Sequence, residues 1–231
     1  MATAARSIAR RRLVLVTGVV GIVAAVAVLA TGVSLAFFSA RAGAESNTFS
    51  AGTVTLATNA TSTCTVTALL PGQTPSPCRL QATYGGSVSG WMALDVLVAT
   101  KSGAPGNTAL YNPLDSSNDL QITVTDNQGS PITYVSPSTN LGSAIPCPAG
   151  SGFNGTFTCY QLNDLLVSTT AFTNSSSSIT FTTSVTLPAS NGTAYQGGTA
   201  SIVLTVHATQ SNNNPATGCT SGQPCTSVHW S

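Results

Sequence analysis

Few side chains in this 231-residue chain are of types that do chemistry: two histidines (His207 and His229), one glutamate (Glu45), five aspartates and six cysteines. A hydrolytic zinc site needs two imidazoles about one helical turn apart with a glutamate base beside them, a spacing that does not occur here. Nor is there a G-x-S-x-G elbow to present a nucleophilic serine. His207 alternates with Thr205 and Thr209 and is read as a solvated residue on the polar face of a strand, and His229 as a solvated residue of the tail. Asp95 points away from the apolar row Met92, Leu94, Val96 and Val98 and is read as a wet-face residue. Asp115 and Asp119, just ahead of a strand, suit loop capping better than cation binding. Such a set does not make an enzyme, and no cofactor or metal is expected.

The cysteines fall into close couples: Cys64 with Cys78, Cys147 with Cys159, and Cys219 with Cys225. Local disulfides in an oxidising compartment are the simplest reading. The rival is a zinc set of Cys219, Cys225, His207 and His229, but no Cys-x2-Cys spacing supports it.

Export explains the oxidising compartment. Arg10, Arg11 and Arg12 precede an apolar run that carries no charge until Arg41. With small residues at Ser34 and Ala36, this is the three-part pattern of a secretory signal, and cleavage is expected between Ala36 and Phe37. The run is also long enough to span a bilayer, so an uncleaved anchor is the alternative. Membrane contact is expected through this leader only.

Beyond the leader, charge is scarce. The chain is 6% charged, where a soluble domain averages roughly 25%, so Ser, Thr, Asn, Gln and Gly must wet its surface. From Phe37 onward three bases (Arg41, Arg79, Lys101) face six acids (Glu45, Asp95, Asp115, Asp119, Asp126, Asp164), a net charge of −3. Such a body cannot displace many phosphate counterions, which argues against nucleic acid. With 42% hydrophobic residues, disorder is excluded as well.

The body, residues 47–210, alternates with period two. Apolar rows at Cys64 and Val66; Leu80, Ala82 and Tyr84; Leu120, Ile122 and Val124; Ile179, Phe181 and Val185; and Ile202, Leu204 and Val206 stand opposite threonine-rich rows. Turn chemistry at residues 71–73, 85–86, 126–131 and 191–192 separates them. Seven to nine antiparallel strands predict an all-β, two-sheet sandwich of jelly-roll or Greek-key type. One short helix is expected at 161–168, where Leu162, Leu165 and Leu166 fall at i, i+3 and i+4. The Gly/Pro/Ser-rich insertion 136–158 is read as a pinned surface loop, and the polar tail 211–231 as mobile. Within the tail, NPATG (214–218) looks like a sortase signal but lacks the apolar span and basic end that would follow. Sequons at Asn59, Asn154, Asn174 and Asn191 are chance products of a Ser/Thr-rich chain.

Three segments in order carry a resemblance: ATGVSLAFFSA running into NTFSAGTVTL; ALLPGQ followed by a GG turn and WMALDVLV; and AYQGGTASIVLTVHATQSNN. The chain resembles the TasA and CalY (camelysin) family of exported proteins. The resemblance implies a jelly-roll domain, a leader removed by a SipW-type signal peptidase, and a life as a biofilm-matrix fibre or surface protein. Some members carry a metallopeptidase label. This chain departs from the better-known members in its many cysteines and few lysines. Read by themselves, Gly52 serves a turn ahead of Val54 and Leu56, and Gly197 and Gly198 a tight turn with Tyr195 at its lip.

The arm freed by cleavage, residues 37–46, alternates Phe38, Ala40, Ala42 and Ala44 with Ser39, Arg41, Gly43 and Glu45, the pattern of one more strand. Such a strand pairs with an exposed sheet edge in its own subunit or in the next. The expected function is a secreted matrix or surface subunit that self-associates through this arm. Two alternatives remain: a camelysin-like metallopeptidase, and a sugar-binding adhesin using Trp91 or Trp230.

Overall fold

The computed structural model describes residues 39–41, 54–57, 61–67, 69–104, 107–113, 119–127, 133–135, 141–173, 177–191 and 193–230. The leader, the cut between Ala36 and Phe37, the arm positions Phe38, Ala42 and Ala44, and also Glu45, Gly52 and Asp115 lie outside them.

Among the described residues, the alternating rows of the body fall on strands. The strands are β1 (Ser39–Arg41), β2 (Leu56–Ala57), β3 (Thr61–Thr67), β4 (Cys78–Tyr84), β5 (Gly90–Lys101), β6 (Gln121–Thr125), β7 (Thr133–Val135), β8 (Thr158–Leu166), β9 (Ser177–Thr186) and β10 (Thr199–Gln210). Among the described residues there is no α-helix, only a 3-10 turn at Thr193–Tyr195. One sheet runs β3-β10-β5-β8, with β1 joining β10 on the side that β3 also occupies; the other runs β2-β4-β9-β6-β7. Every described pairing is antiparallel.

The two inner faces close on one core. Met92, Leu94, Val96 and Val98 of β5 and Ile202 and Leu204 of β10 pack in the same cluster as Leu80 of β4, Ile122 of β6 and Phe181 of β9. Burying each large apolar side chain contributes roughly 1.5–3 kcal/mol. Tyr134 meets Phe181 edge-on with ring centroids 5.5 Å apart, an arrangement aromatic pairs prefer. The Cys64–Cys78 disulfide ties β3 to β4 and so one sheet to the other. Its 14-residue separation corresponds to about 3 kcal/mol of lost chain entropy in the unfolded state.

The helix expected at 161–168 does not form; residues 161–166 belong to β8. Val96 pairs with Leu162 and Leu94 with Leu165, so Asp95 alone stands opposite two residues, Asn163 and Asp164. This is a β-bulge. The extra residue puts Leu162 and Leu165 on the same face at a spacing of three, which in sequence mimics a helical turn.

The threonine-rich outer face is solvated on the β4-β9-β6 sheet, where Arg79 and Gln81 are exposed. On the other sheet the expectation fails: Ala93, Leu97 and Ala99 of β5 and Ser201, His207 and Thr209 of β10 are buried from the outside. The insertion covers Leu97 and Ala99, and Trp230 of the tail covers His207. Three disulfides, Cys64–Cys78, Cys147–Cys159 and Cys219–Cys225, form as the local couples predict, and they are the mark of a chain that folds in an oxidising compartment.

Candidate functional site

Two disulfide-pinned flaps lie on the outer face of the β3-β10-β5-β8 sheet. The insertion is fixed to β8 by Cys147–Cys159 and by a bridge between Ile145 and Cys159. Its Phe153 and Phe157, with Val203, pack on the cluster of Leu97, Ala99 and Cys159. Lys101 Nζ lies 4.9 Å from the centre of the Phe157 ring.

The tail forms the second flap, and it is packed where mobility was expected. Cys225 and Val228 are buried with Leu166, flanked by Trp91 and Trp230. Leu166 N donates to Gln223 O, Gly222 N to Leu166 O and Cys225 N to Asp164 O, so the tail zips onto the end of β8. Asn214, first residue of the sortase-like NPATG, is buried; its amide donates to Gln210 O and His229 O, and its Oδ1 accepts from His229 N at 2.8 Å. These residues serve packing. Both tryptophans are half-buried and likewise engaged, Trp91 donating to Asn214 O and Trp230 to Cys225 O.

Between the flaps, β5, β8 and β10 converge on three polar side chains. Asp95 comes from β5, Asp164 from the bulge of β8 and His207 from β10. Asp164 has φ 59°, the left-handed conformation that aspartate and asparagine tolerate better than most side chains. Its backbone N–H donates to Asp95 Oδ1 at 2.9 Å. Asp95 Oδ2 lies 3.3 Å from His207 Nδ1. On the other side of the ring Asp164 Oδ1 lies 3.2 Å from Nε2, yet Nε2 is buried and makes no hydrogen bond. Proximity and hydrogen bonding disagree here because the oxygen is close but off the line of an N–H bond. The Trp230 ring covers the imidazole at a centroid distance of 5.2 Å.

His207 and Asp95 are therefore not solvated as their alternation predicts. His207 is 5% exposed, because the tail lies over what would be the wet face. His229 is exposed, as expected. Asp119 caps the loop ahead of β6: its carboxylate accepts from Asn112 N and from Gln121 Nε2. The cysteines of the rival zinc set are bonded to each other and cannot act as thiolate ligands. Asp164 was missed by sequence reasoning; the only trace was a polar residue interrupting Leu162, Leu165 and Leu166, which looked like the outer side of a helix.

Beside the triad, under the insertion, lies a cleft of about 380 Å³ whose walls include Thr61, Thr63, Asp95, Ser151, Gln161 and Thr205.

The arm enters at the edge of the same sheet. β3 pairs with Thr199 to Thr205 of β10 and stops there. Ser39, Ala40 and Arg41 then pair with Thr209, Ala208 and His207, which continues the ladder along the edge that β3 leaves open. Comparison of the chain with protein-family models, with characterised proteins and with solved structures finds no match to any of them.

Proposed function

We propose that the chain is an exported structural subunit of a cell surface or extracellular matrix, a jelly roll of the kind its resemblance to TasA and CalY implies, which self-associates by strand addition. Support for the jelly roll comes from the strand order. Between β3 and β10 each connection crosses from one sheet to the other, except the β6–β7 hairpin. Export rests on the three-part leader and the disulfides, with a SipW-type signal peptidase as the processing partner.

The observation that carries the assembly reading is β1 on β10. The segment that cleavage would make the new N-terminus supplies the pairing partner for His207, Ala208 and Thr209, positions that β3 does not reach. A strand held by three residue pairs can take the same place on another copy, because backbone pairing is indifferent to which chain donates it. A contact of that type is head-to-tail and need not close, so it propagates as a filament. The test is electron microscopy of the chain beginning at Phe37 beside one beginning at Asn47. Filaments are expected from the first alone; equal polymerisation by both would remove the arm from the mechanism.

A second reading, a sugar-binding surface module, is favoured by the cleft, whose threonine and serine hydroxyls and Gln161 amide suit a polyol. Silence on a glycan array would dismiss it. The peptidase alternative stands on the resemblance alone, and absence of casein cleavage by the purified protein would end it.

A further inference from the structure

The geometry points to a divalent transition-metal site of zinc type at His207 and Asp164, with Asp95 as its positioning residue. Each of the three groups offers a ligand atom, and these atoms lie within 4.8 Å of one another. Their roles differ. Asp95 is already engaged at both oxygens, through Oδ1 with Asp164 N–H and through Oδ2 facing His207 Nδ1. A carboxylate on the far ring nitrogen is the usual support of a metal-bound imidazole, because it fixes the tautomer and turns the other nitrogen's lone pair outward. That other nitrogen, Nε2, is buried without a hydrogen bond, an unfavourable state for a polar atom.

Asp164 Oδ1 faces Nε2 at 3.2 Å, too far off-line for a hydrogen bond, yet close to the ~3.3 Å edge of a tetrahedron with bonds near 2.0 Å. The backbone holds the pair in place, since His207 is clamped between β1 and β5 and Asp164 is set by the bulge. Asp164 is also the accessible member, its side chain 40% exposed, which gives an ion an entry path and leaves the remaining positions to water. One imidazole with one carboxylate favours zinc over magnesium or calcium, which prefer oxygen alone. The site would staple β10 to β8 beneath Trp230. Asp95 has no free oxygen to serve as a general base, so the inference is of a structural ion and is independent of how the arm assembles.

The test uses the tag-free chain beginning at Phe37, stripped with EDTA and titrated with Zn²⁺ by calorimetry, with Ca²⁺ and Mg²⁺ as controls. One Zn²⁺ is expected with micromolar affinity, together with a nitrogen-15 shift at His207 Nε2 while Nδ1 stays protonated. Asp164→Asn keeps a residue that tolerates the left-handed backbone and is expected to weaken Zn²⁺ at least about tenfold. The inference is overturned if no Zn²⁺ binds up to about 1 mM, or if Asp164→Asn binds it equally well, which would remove Asp164 from the ligand set. It also fails if both ring nitrogens of His207 stay protonated with Zn²⁺ present, for then a proton fills the gap.

Discussion

Asp95 and Asp164 meet across the β5–β8 bulge, and the carboxylate of the first accepts the backbone N–H of the second at 2.9 Å. This contact replaces a ladder hydrogen bond that the bulge breaks, and it turns Asp164 toward His207. Asp95→Ala is therefore expected to destabilise the protein by about 1 kcal/mol, because it strands a half-buried donor. Asp95→Asn keeps an acceptor and is expected to cost less. Urea denaturation with an unchanged m-value checks this; an alanine variant as stable as the parent would show that the contact contributes nothing.

The tail flap depends on its short disulfide. Replacing both Cys219 and Cys225 by serine removes a loop constraint over a separation of 6 residues, worth about 2 kcal/mol in the chain-entropy model. Because Trp91 and Trp230 pack with this segment, their fluorescence is expected to shift to the red as the flap loosens. A native emission spectrum with a native melting temperature would mean that the hydrogen bonds of Asn214 suffice.

Four of the five buried tyrosines have phenols held above their ordinary range and so bear on stability at alkaline pH. Burial pushes the phenols of Tyr84 and Tyr111 up to about 12. Tyr134 is raised further, by burial and then by its hydrogen bond to Asp126, and Tyr160 is raised mainly by burial. Above the ordinary phenol range the unfolded chain loses these protons while the folded chain keeps them, so stability falls as pH rises. It is fully present below about pH 10, and each such tyrosine then removes about 1.4 kcal/mol per pH unit until its folded value is reached. Phenolate absorbance is expected to appear together with the loss of near-ultraviolet circular dichroism. Smooth titration near pH 10 with the fold intact would show the tyrosines to be open to solvent.

The register of β1 on β10 gives the assembly reading a covalent readout. Ser39 and Thr209 are Cα partners, so Ser39→Cys combined with Thr209→Cys is expected to cross-link within one chain in monomer preparations. In filaments the same pair is expected to join neighbouring copies and give a ladder on non-reducing gels. Intramolecular links alone in filament samples would confine the arm to its own subunit.

Gly103 and Gly197 mark a close approach of two backbones. A Cβ on Gly103 would collide with the backbone of Gln196 and Gly197, so Gly103→Ala is expected to cost about 1–3 kcal/mol. Gly155, whose added Cβ meets nothing within 4 Å, is the control: Gly155→Ala is expected to leave the melting temperature within a degree or so.

Strands such as β5 and β10 were legible because a side chain's face follows from its parity along an extended backbone, so Met92, Leu94 and Val96 announce an inner row without any knowledge of their partners. The disulfide couples were legible from nearness in the chain, as were the turn at Gly197 and the burial of Tyr195. Parity names the two faces of a strand but cannot say what comes to lie upon them. Whether His207 and Asp95 meet water was decided by segments distant in sequence, the tail from Ser211 and the insertion around Cys147, which fold back over the outer face. The bulge was hidden for a related reason: one extra residue in β8 changes the spacing of Leu162 and Leu165 from two to three, and only pairing with β5 distinguishes that from a helical turn. Residue types and alternation thus determined the sheets and their core, whereas the assembly of Asp95, Asp164 and His207 came from tertiary packing, because it joins three strands whose register no local pattern encodes.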